Sequence, residues 1–379
     1  MKNILITGGA GFIGSELSLK LIKKGYNITV LDNLSIQIHG HNALENSYLF
    51  SKIRDKVNFV HGCVTSKQDW KKAIKNQDII VHFAAETGTG QSMYEIEKYT
   101  NVNIGGTSIM LDLLANTTHS VKKVIIASSR SIYGEGKYWS DELNSIVYPK
   151  HRTDKFMSNK DFEVKYKDIT KPLKLLATDE ESKIHPSSVY GITKQNQEQM
   201  IMTVCPTIGI VPVAFRYQNV YGPGQSLSNP YTGILSIFST LIRNGKDINI
   251  FEDGLESRDF VYIDDVVDAT ILGIENESAN GEVFNVGTGQ PVNVIKVAEE
   301  LIKNYGLPTK INISGNYRLG DIRHNFADLT KIKNTLGFKP NYDFETGIKH
   351  FCKWVLTQES EESKYETSIS EMKAKGLFK

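Results

Sequence analysis

Cysteine is scarce in this chain. Cys63, Cys205 and Cys352 are the only three in 379 residues, and they stand far apart. No two have metal-ligand spacing and no disulfide framework can be drawn, so no metal and a reduced, cytoplasmic setting are expected. Charge of one sign is missing too, because 44 Lys and Arg face 43 Asp and Glu. No net field draws the chain toward nucleic acid or a membrane surface, and neither is expected as a partner. No apolar run nears the roughly 18 residues of a membrane span. The N-terminus enters a strand pattern at once, which leaves no room for a signal peptide. No fixed-period repeat is visible. What remains is a chain long enough to bury one large core or two smaller ones.

Its organising stretch is residues 2–24. Ile4, Leu5 and Ile6 are a short apolar run of the kind a buried strand carries, and Thr7-Gly8-Gly9-Ala10-Gly11-Phe12-Ile13-Gly14 follows. Leu17, Leu19, Leu21 and Ile22 then mark an amphipathic helix. Gly8 and Gly11 permit a tight turn that lets backbone approach a pyrophosphate, and Gly14 lets the helix pack on the sheet. A second strand from Tyr26 to Leu31 ends at Asp32, eighteen residues after Gly14. A carboxylate there accepts from both hydroxyls of an adenosine ribose and repels a 2′-phosphate, which favours NAD over NADP.

Strand and helix signals alternate for the first two hundred residues. Further strands are expected at Val57 to Val60, Asp78 to His82, Val121 to Ala127 and Gly209 to Arg216, with helices at Ile104 to Ala115 and 188–204. This alternation predicts an α/β fold, a doubly wound parallel sheet whose ligands bind beyond the carboxyl ends of the strands. Residues 135–187 break the rhythm and read as an insertion, either a flap at the rim of the site or an oligomer contact. The first domain is thus expected at 1–220. From 221 to 357 the elements shorten into a smaller mixed α/β substrate-binding domain, with some segments returning to the first. Residues 358–379 are charged and poor in aliphatics, so a mobile tail is expected.

Tyr190 and Lys194 lie four apart on the 188–204 helix and share a face. An ammonium beside a phenol lowers its pKa from about 10 toward that of a usable base. The spacing alone is equally what a solvated lysine beside a core tyrosine would give. Ser128-Ser129-Arg130-Ser131 at the end of the fifth strand supplies a hydroxyl that can bond an alcohol under oxidation, or simply a polar turn.

Together, TGGAGFIG, LDN at 31–33, HFAAET at 82–87, ASSRSIYG at 127–134, SVYGITK at 188–194, FRYQNVYGPGQ at 215–225, SRDFVYIDDV at 257–266 and NVGTG at 285–289 resemble the extended short-chain dehydrogenase/reductases, in their nucleotide-sugar epimerase and dehydratase group. The resemblance spans about residues 1 to 355. It implies a Rossmann-like sheet, NAD as cofactor, a nucleotide-diphosphate sugar as substrate and a homodimer. Ser129, Tyr190 and Lys194 would be the catalytic triad, with Tyr190 and Lys194 also on the cofactor. Phe12 and Ile13 would join Gly8 and Gly11 at the pyrophosphate, and Asn33 would join Asp32. Phe83, Ala84 and Ala85 would line the cofactor, Tyr217 its nicotinamide end, and Asn103 would brace the structure near it. On the substrate, Thr87 and Ser129 would face the sugar, while Asn219 and Arg258 would hold the diphosphate. Phe251 would offer backbone to the base, and Arg318 with Asp321 would reach phosphate and ribose. A diphosphate calls for such charge-assisted donors, although a surface ion pair is the other reading of each arginine.

Two departures from the group matter. Where an Asp usually bonds adenine, Gly62 is followed by Cys63, so adenine would rest on the Val64 N–H and on packing. The 4,6-dehydratases carry Asp-Glu directly after the catalytic hydroxyl residue, where this chain has Arg130 and Ser131. Neither suits elimination of water, so 4-epimerisation through a transient 4-keto sugar is expected. The runs at 84–103 and 216–239 most resemble dTDP-L-rhamnose 4-epimerases, which make dTDP-6-deoxy-L-talose for surface polysaccharides. A UDP-hexose 4-epimerase, a nucleotide-sugar reductase and a non-catalytic NAD-binding protein stay open as alternatives.

Overall fold

A computed structural model describes residues 2–229, 231, 233–359 and 365–379. Seven strands form the central sheet: β1 (Asn3–Thr7), β2 (Asn27–Asp32), β3 (Asn58–His61), β4 (Ile79–His82), β5 (Lys123–Ser129), β6 (Val211–Tyr217) and β7 (Val283–Val286). Their order is β7-β6-β5-β4-β1-β2-β3, and every neighbouring pair is parallel. The chain winds outward in both directions from the β1–β4 boundary, which opens a crevice above the carboxyl ends there.

Strand alternation builds two cores. Ile4 and Ile6 face one with Leu17 and Leu21 of helix α1 (Phe12–Lys23), while Leu5 between them faces the other. That second core holds Trp70 of the helix Lys67–Ala73, Met110 and Leu114 of α2 (Gly106–Asn116), and Ile201 of α3 (Val189–Thr207). Both faces of the sheet are therefore dry, and this is why its strands read as unbroken apolar runs.

Beyond Tyr217 the elements gather over the crevice. Asn219–Tyr221 pairs in parallel with Ser257–Tyr262, which also pairs with Pro291–Asn293 and His324–Asn325. Ile248–Ile250 pairs with Ile311–Ile313. The extended segment at 282–286 does not stay with this group: it returns to the main sheet as edge strand β7. Residues 135–187 form a small antiparallel sheet of Ser145–Val147, Lys137–Ser140 and Lys174–Leu176 around Tyr138, Val147 and Val164.

A buried ionic web ties this insertion to the cover. Arg152 makes two bonds to the Glu252 carboxylate, at 2.6 and 2.8 Å. Arg323, with none of its side chain exposed, reaches Glu163 at 2.6 Å and Asp253 at 2.7 and 2.8 Å. Its backbone N–H donates to Glu135 at 2.6 Å.

The mobile tail expected at 358–379 is corrected by the structure; residues 360–364 lie outside the described residues. Helix α4 (Tyr365–Ala374) docks on the body with Ile369, Met372 and Phe378 buried. Tyr317 and Lys379 exchange backbone bonds at 2.8 and 3.0 Å, and the Tyr94 and Tyr231 hydroxyls both donate to Glu371. The few apolar residues of the segment fall on one side at helical spacing, which a compositional reading averages away.

Candidate active site

The glycine turn fits a dinucleotide as the sequence predicts. Gly8 has φ +66°, and a Cβ on it would stand 2.8 Å from the Ala84 backbone nitrogen. Gly14 packs so closely that a Cβ would meet the Gly8 carbonyl oxygen at 2.5 Å. Gly11 caps α1 without any side-chain acceptor, so the helix start keeps N–H groups for an anion. Asp32 is buried, accepting from Ala10 N–H at 3.0 Å and Leu34 N–H at 2.9 Å. Burial pushes its carboxyl upward, and these bonds with the nearby His39 oppose the push. Gly8, Gly11, Asp32, Asn33, Cys63, Val64, Phe83, Ala84, Ala85 and Thr87 line one cleft. Phe12 and Ile13 line the adjoining one with Ser129, Tyr190, Lys194 and Tyr217.

At the adenine end, Cys63 N–H is taken by Asp69 at 3.1 Å, and the Val64 carbonyl accepts from Trp70 at 2.7 Å. Asn103 lines neither cleft. It bonds the Glu86 N–H and carbonyl at 2.8 and 3.1 Å and the Thr193 hydroxyl at 2.9 Å, stapling the loop after β4 to α3. Its part is that of a brace.

Ser188 caps α3 by accepting from Gly191 N–H at 3.1 Å, which starts the helix one residue before Tyr190. Burial pushes the Tyr190 phenol up, while a hydrogen bond from Ser129 and the charge of Arg130 pull it down. Lys194 is held differently from the expectation. Its ammonium donates to the Ala127 carbonyl at 2.8 Å and to Gln197 at 3.1 Å, and burial pushes it down to about 7. Gln197 in turn donates to Thr107, which bonds His82, so a buried polar chain fixes the lysine. Arg130, one residue beyond Ser129, lines the same cleft as Tyr190, and its charge favours the phenolate.

Asn219, Phe251, Arg258, Arg318 and Asp321 come together in a second cavity, which meets the catalytic cleft at Arg130 and Asn219. Arg258 donates to the carbonyls of Ser257, Arg323 and Ile322 at 2.8, 2.9 and 2.7 Å. Arg318 pairs with Asp321 at 2.8 Å and lies 5.4 Å from the Phe251 ring centre. The structure thus assembles the expected substrate residues, with Thr87 and Ser129 on the catalytic side.

The family model described as "NAD dependent epimerase/dehydratase family" matches residues 4–156 and 168–287. The chain belongs to that family. It is an enzyme with NAD as its cofactor, of the epimerase class represented among its relatives. The dTDP-L-rhamnose 4-epimerase of Burkholderia thailandensis is 36% identical over 359 residues, 94% of this chain and 96% of that one. The UDP-glucose 4-epimerase of Thermotoga maritima, solved with UDP-glucose, superposes with a TM-score of 0.74 at 29% identity, covering 93% of this chain and 98% of that one. A UDP-glucuronic acid 4-epimerase from Bacillus cereus, solved with UDP-glucuronic acid and NAD, has the same fold at a TM-score of 0.75 and 24% identity, over 93% and 99% of the chains.

Sequence reasoning left out several residues of this epimerase-family site. Tyr365 of the tail and Tyr231 line the second cavity, and Gln225 the catalytic cleft. In the sequence Arg130 stands out only as the residue where a dehydratase has an acid; its adjacency to Ser129 is the signal that places it in the cleft.

Proposed function

We propose that this family member is a nucleotide-sugar 4-epimerase acting on dTDP-L-rhamnose to give dTDP-6-deoxy-L-talose. The observation that carries the substrate is the likeness to the Burkholderia enzyme along nearly the whole of both chains. The chemistry follows from the residues. Tyr190 faces the catalytic cleft and, as phenolate, takes the proton of the sugar 4-hydroxyl. Ser129 shares a hydrogen bond with that oxygen and steadies it as a carbonyl. NAD, when bound, supplies the hydride acceptor and donor at C4, held by the glycine turn and Asp32. The cleft opens onto the second cavity at Arg130 and Asn219, which gives the 4-keto sugar a way to turn and present its other face. Tyr190 then returns the proton. Where a dehydratase has Asp-Glu this chain has Arg130 and Ser131, so no acid stands ready to expel a C6 hydroxyl.

A UDP-hexose 4-epimerase is the second reading, supported by the Thermotoga relative. Incubating the protein with dTDP-L-rhamnose, UDP-glucose and UDP-N-acetylglucosamine, and following C4 by NMR in heavy water, separates the two. Turnover of dTDP-L-rhamnose with no deuterium at C4, C5 or C6 is expected. Deuterium at C5, or a 4-keto-6-deoxy product from UDP-glucose, would refute 4-epimerisation. A homodimer belongs to the same proposal, and light scattering at micromolar concentration should return twice the 42.5 kDa chain mass.

A further inference from the structure

The least expected side chain in the cleft is Arg130. It follows β5 and lines both the catalytic cleft and the second cavity, at the neck where they meet. Its Nε donates to Asn219 Oδ1 at 2.5 Å, which fixes the plane of the guanidinium. Among the described residues no carboxylate comes within ion-pair distance of it, although other arginines around the cavity find partners: Arg318 has Asp321, and Arg152 and Arg323 share Glu252. Arg258 lies close enough to repel it, and that guanidinium too is bonded to carbonyls rather than to a carboxylate. Glu252, Glu256 and Asp321 also line this cavity, but among the described residues none pairs with Arg130 or Arg258, so both buried guanidiniums are left to be completed by an anion from outside.

We propose that Arg130 is a substrate-binding residue whose guanidinium takes the sugar-proximal phosphate of the nucleotide diphosphate at the neck between the two cavities, with Asn219 as its positioning residue. The inference rests on the nucleotide-sugar reading above, since it places the sugar beside Tyr190 and the nucleoside near Phe251. The guanidinium offers a planar fork to phosphate oxygens, and the Nε bond to Asn219 leaves its two terminal nitrogens for that purpose. Arg130 thereby links binding to chemistry. The same charge that receives the phosphate favours the Tyr190 phenolate, a task the sequence assigns to Lys194 alone. Burial and Arg258 push Arg130 down to about 9, and a phosphate would reverse that.

The test uses the full-length, NAD-loaded protein and Arg130→Gln and Arg130→Lys variants, titrated with dTDP, dTMP and thymidine by calorimetry, then with UDP, UMP and uridine. Arg130→Gln should weaken the diphosphate by about 10- to 100-fold and leave the nucleoside unchanged. Arg130→Lys should recover part of the loss, as charge without the fork. The acid limb of kcat should move to higher pH in Arg130→Gln, because the phenol loses its cation. Retained NAD and an unchanged melting temperature mark a variant as folded. Diphosphate affinity within twofold of the parent in both variants would overturn the proposal, as would equal losses for nucleoside and diphosphate, which mean a structural role. If the parent epimerises no nucleotide sugar while the diphosphate step still depends on Arg130, the functional reading fails and this one stands.

Discussion

The cofactor side of the cleft takes its walls from short stretches at the ends of neighbouring parallel strands: 8–14 after β1, Asp32 and Asn33 after β2, Cys63 and Val64 after β3, and 83–87 after β4. The second cavity collects Thr89, Arg130, Asn219, Phe251, Arg258, Arg318 and Tyr365, from places hundreds of residues apart. Each wall of the first is fixed by its own strand. The second depends on the buried charges that join 135–187 to the cover, and on a tail helix. Local structure thus makes the cofactor side self-supporting, while the substrate side is only as good as its long-range ties.

Four perturbations would break or sharpen that contrast. The largest effect should come where the sides meet. Tyr190→Phe should lower kcat by about 10²- to 10⁴-fold, the usual worth of a positioned acid–base group, with NAD content unchanged in the purified protein. Near-normal turnover would remove Tyr190 from the mechanism.

Next comes the tie itself. Arg323→Met takes the guanidinium from the half-exposed Asp253 and leaves Glu252 to Arg152 alone, and should cost about 1–3 kcal/mol, read as a fall in melting temperature. The cofactor side should hold NAD at room temperature in the folded fraction. Loss of NAD in step with stability would show that the two sides are not separable.

Deleting 360–379 should have a smaller effect. Tyr365 leaves the cavity and Phe251 loses Phe378, whose ring centre lies 4.9 Å away. The substrate KM should rise by about 10-fold, equivalent to about 1.4 kcal/mol, with kcat and NAD content little changed. An unchanged KM would mean that the tail helix only covers the cavity.

The smallest effect should be a pH dependence. The hydrogen bond to His324, then Arg323, holds the half-exposed Glu163 down to about 2, against an ordinary 4.5. A depressed carboxyl stabilises the fold fully above about 4.5, and that contribution is lost as pH falls toward 2. Thermal melts of Glu163→Gln should therefore lie below the parent at pH 6, with the gap narrowing below about 4.5 and closing as pH falls toward 2. Parallel curves would place the acid sensitivity elsewhere.

These differences track what was legible. The glycine turn, Asp32, Ser129 and the Tyr190–Lys194 pair could be read because each signal lies within a turn or a strand end of the atoms it positions. Arg258 was legible as a cation near the cavity. That two of its donor bonds go to the carbonyls of Ile322 and Arg323 depends on chain 64 and 65 residues away. The tail was misjudged because its burial needs Tyr94, Tyr231 and Phe251 as partners, and no local composition encodes them.

The order of elements, the parallel sheet and the NAD-type turn were determined by the sequence alone, since unbroken apolar strands, glycine φ angles and helical spacing act over a few residues. Only the tertiary structure decided which cation stands by Tyr190, which guanidinium is left for an anion, and what covers the second cavity. Those outcomes turn on distances between charges brought together by folding, where a neighbouring carboxylate or carbonyl decides whether an arginine is already occupied.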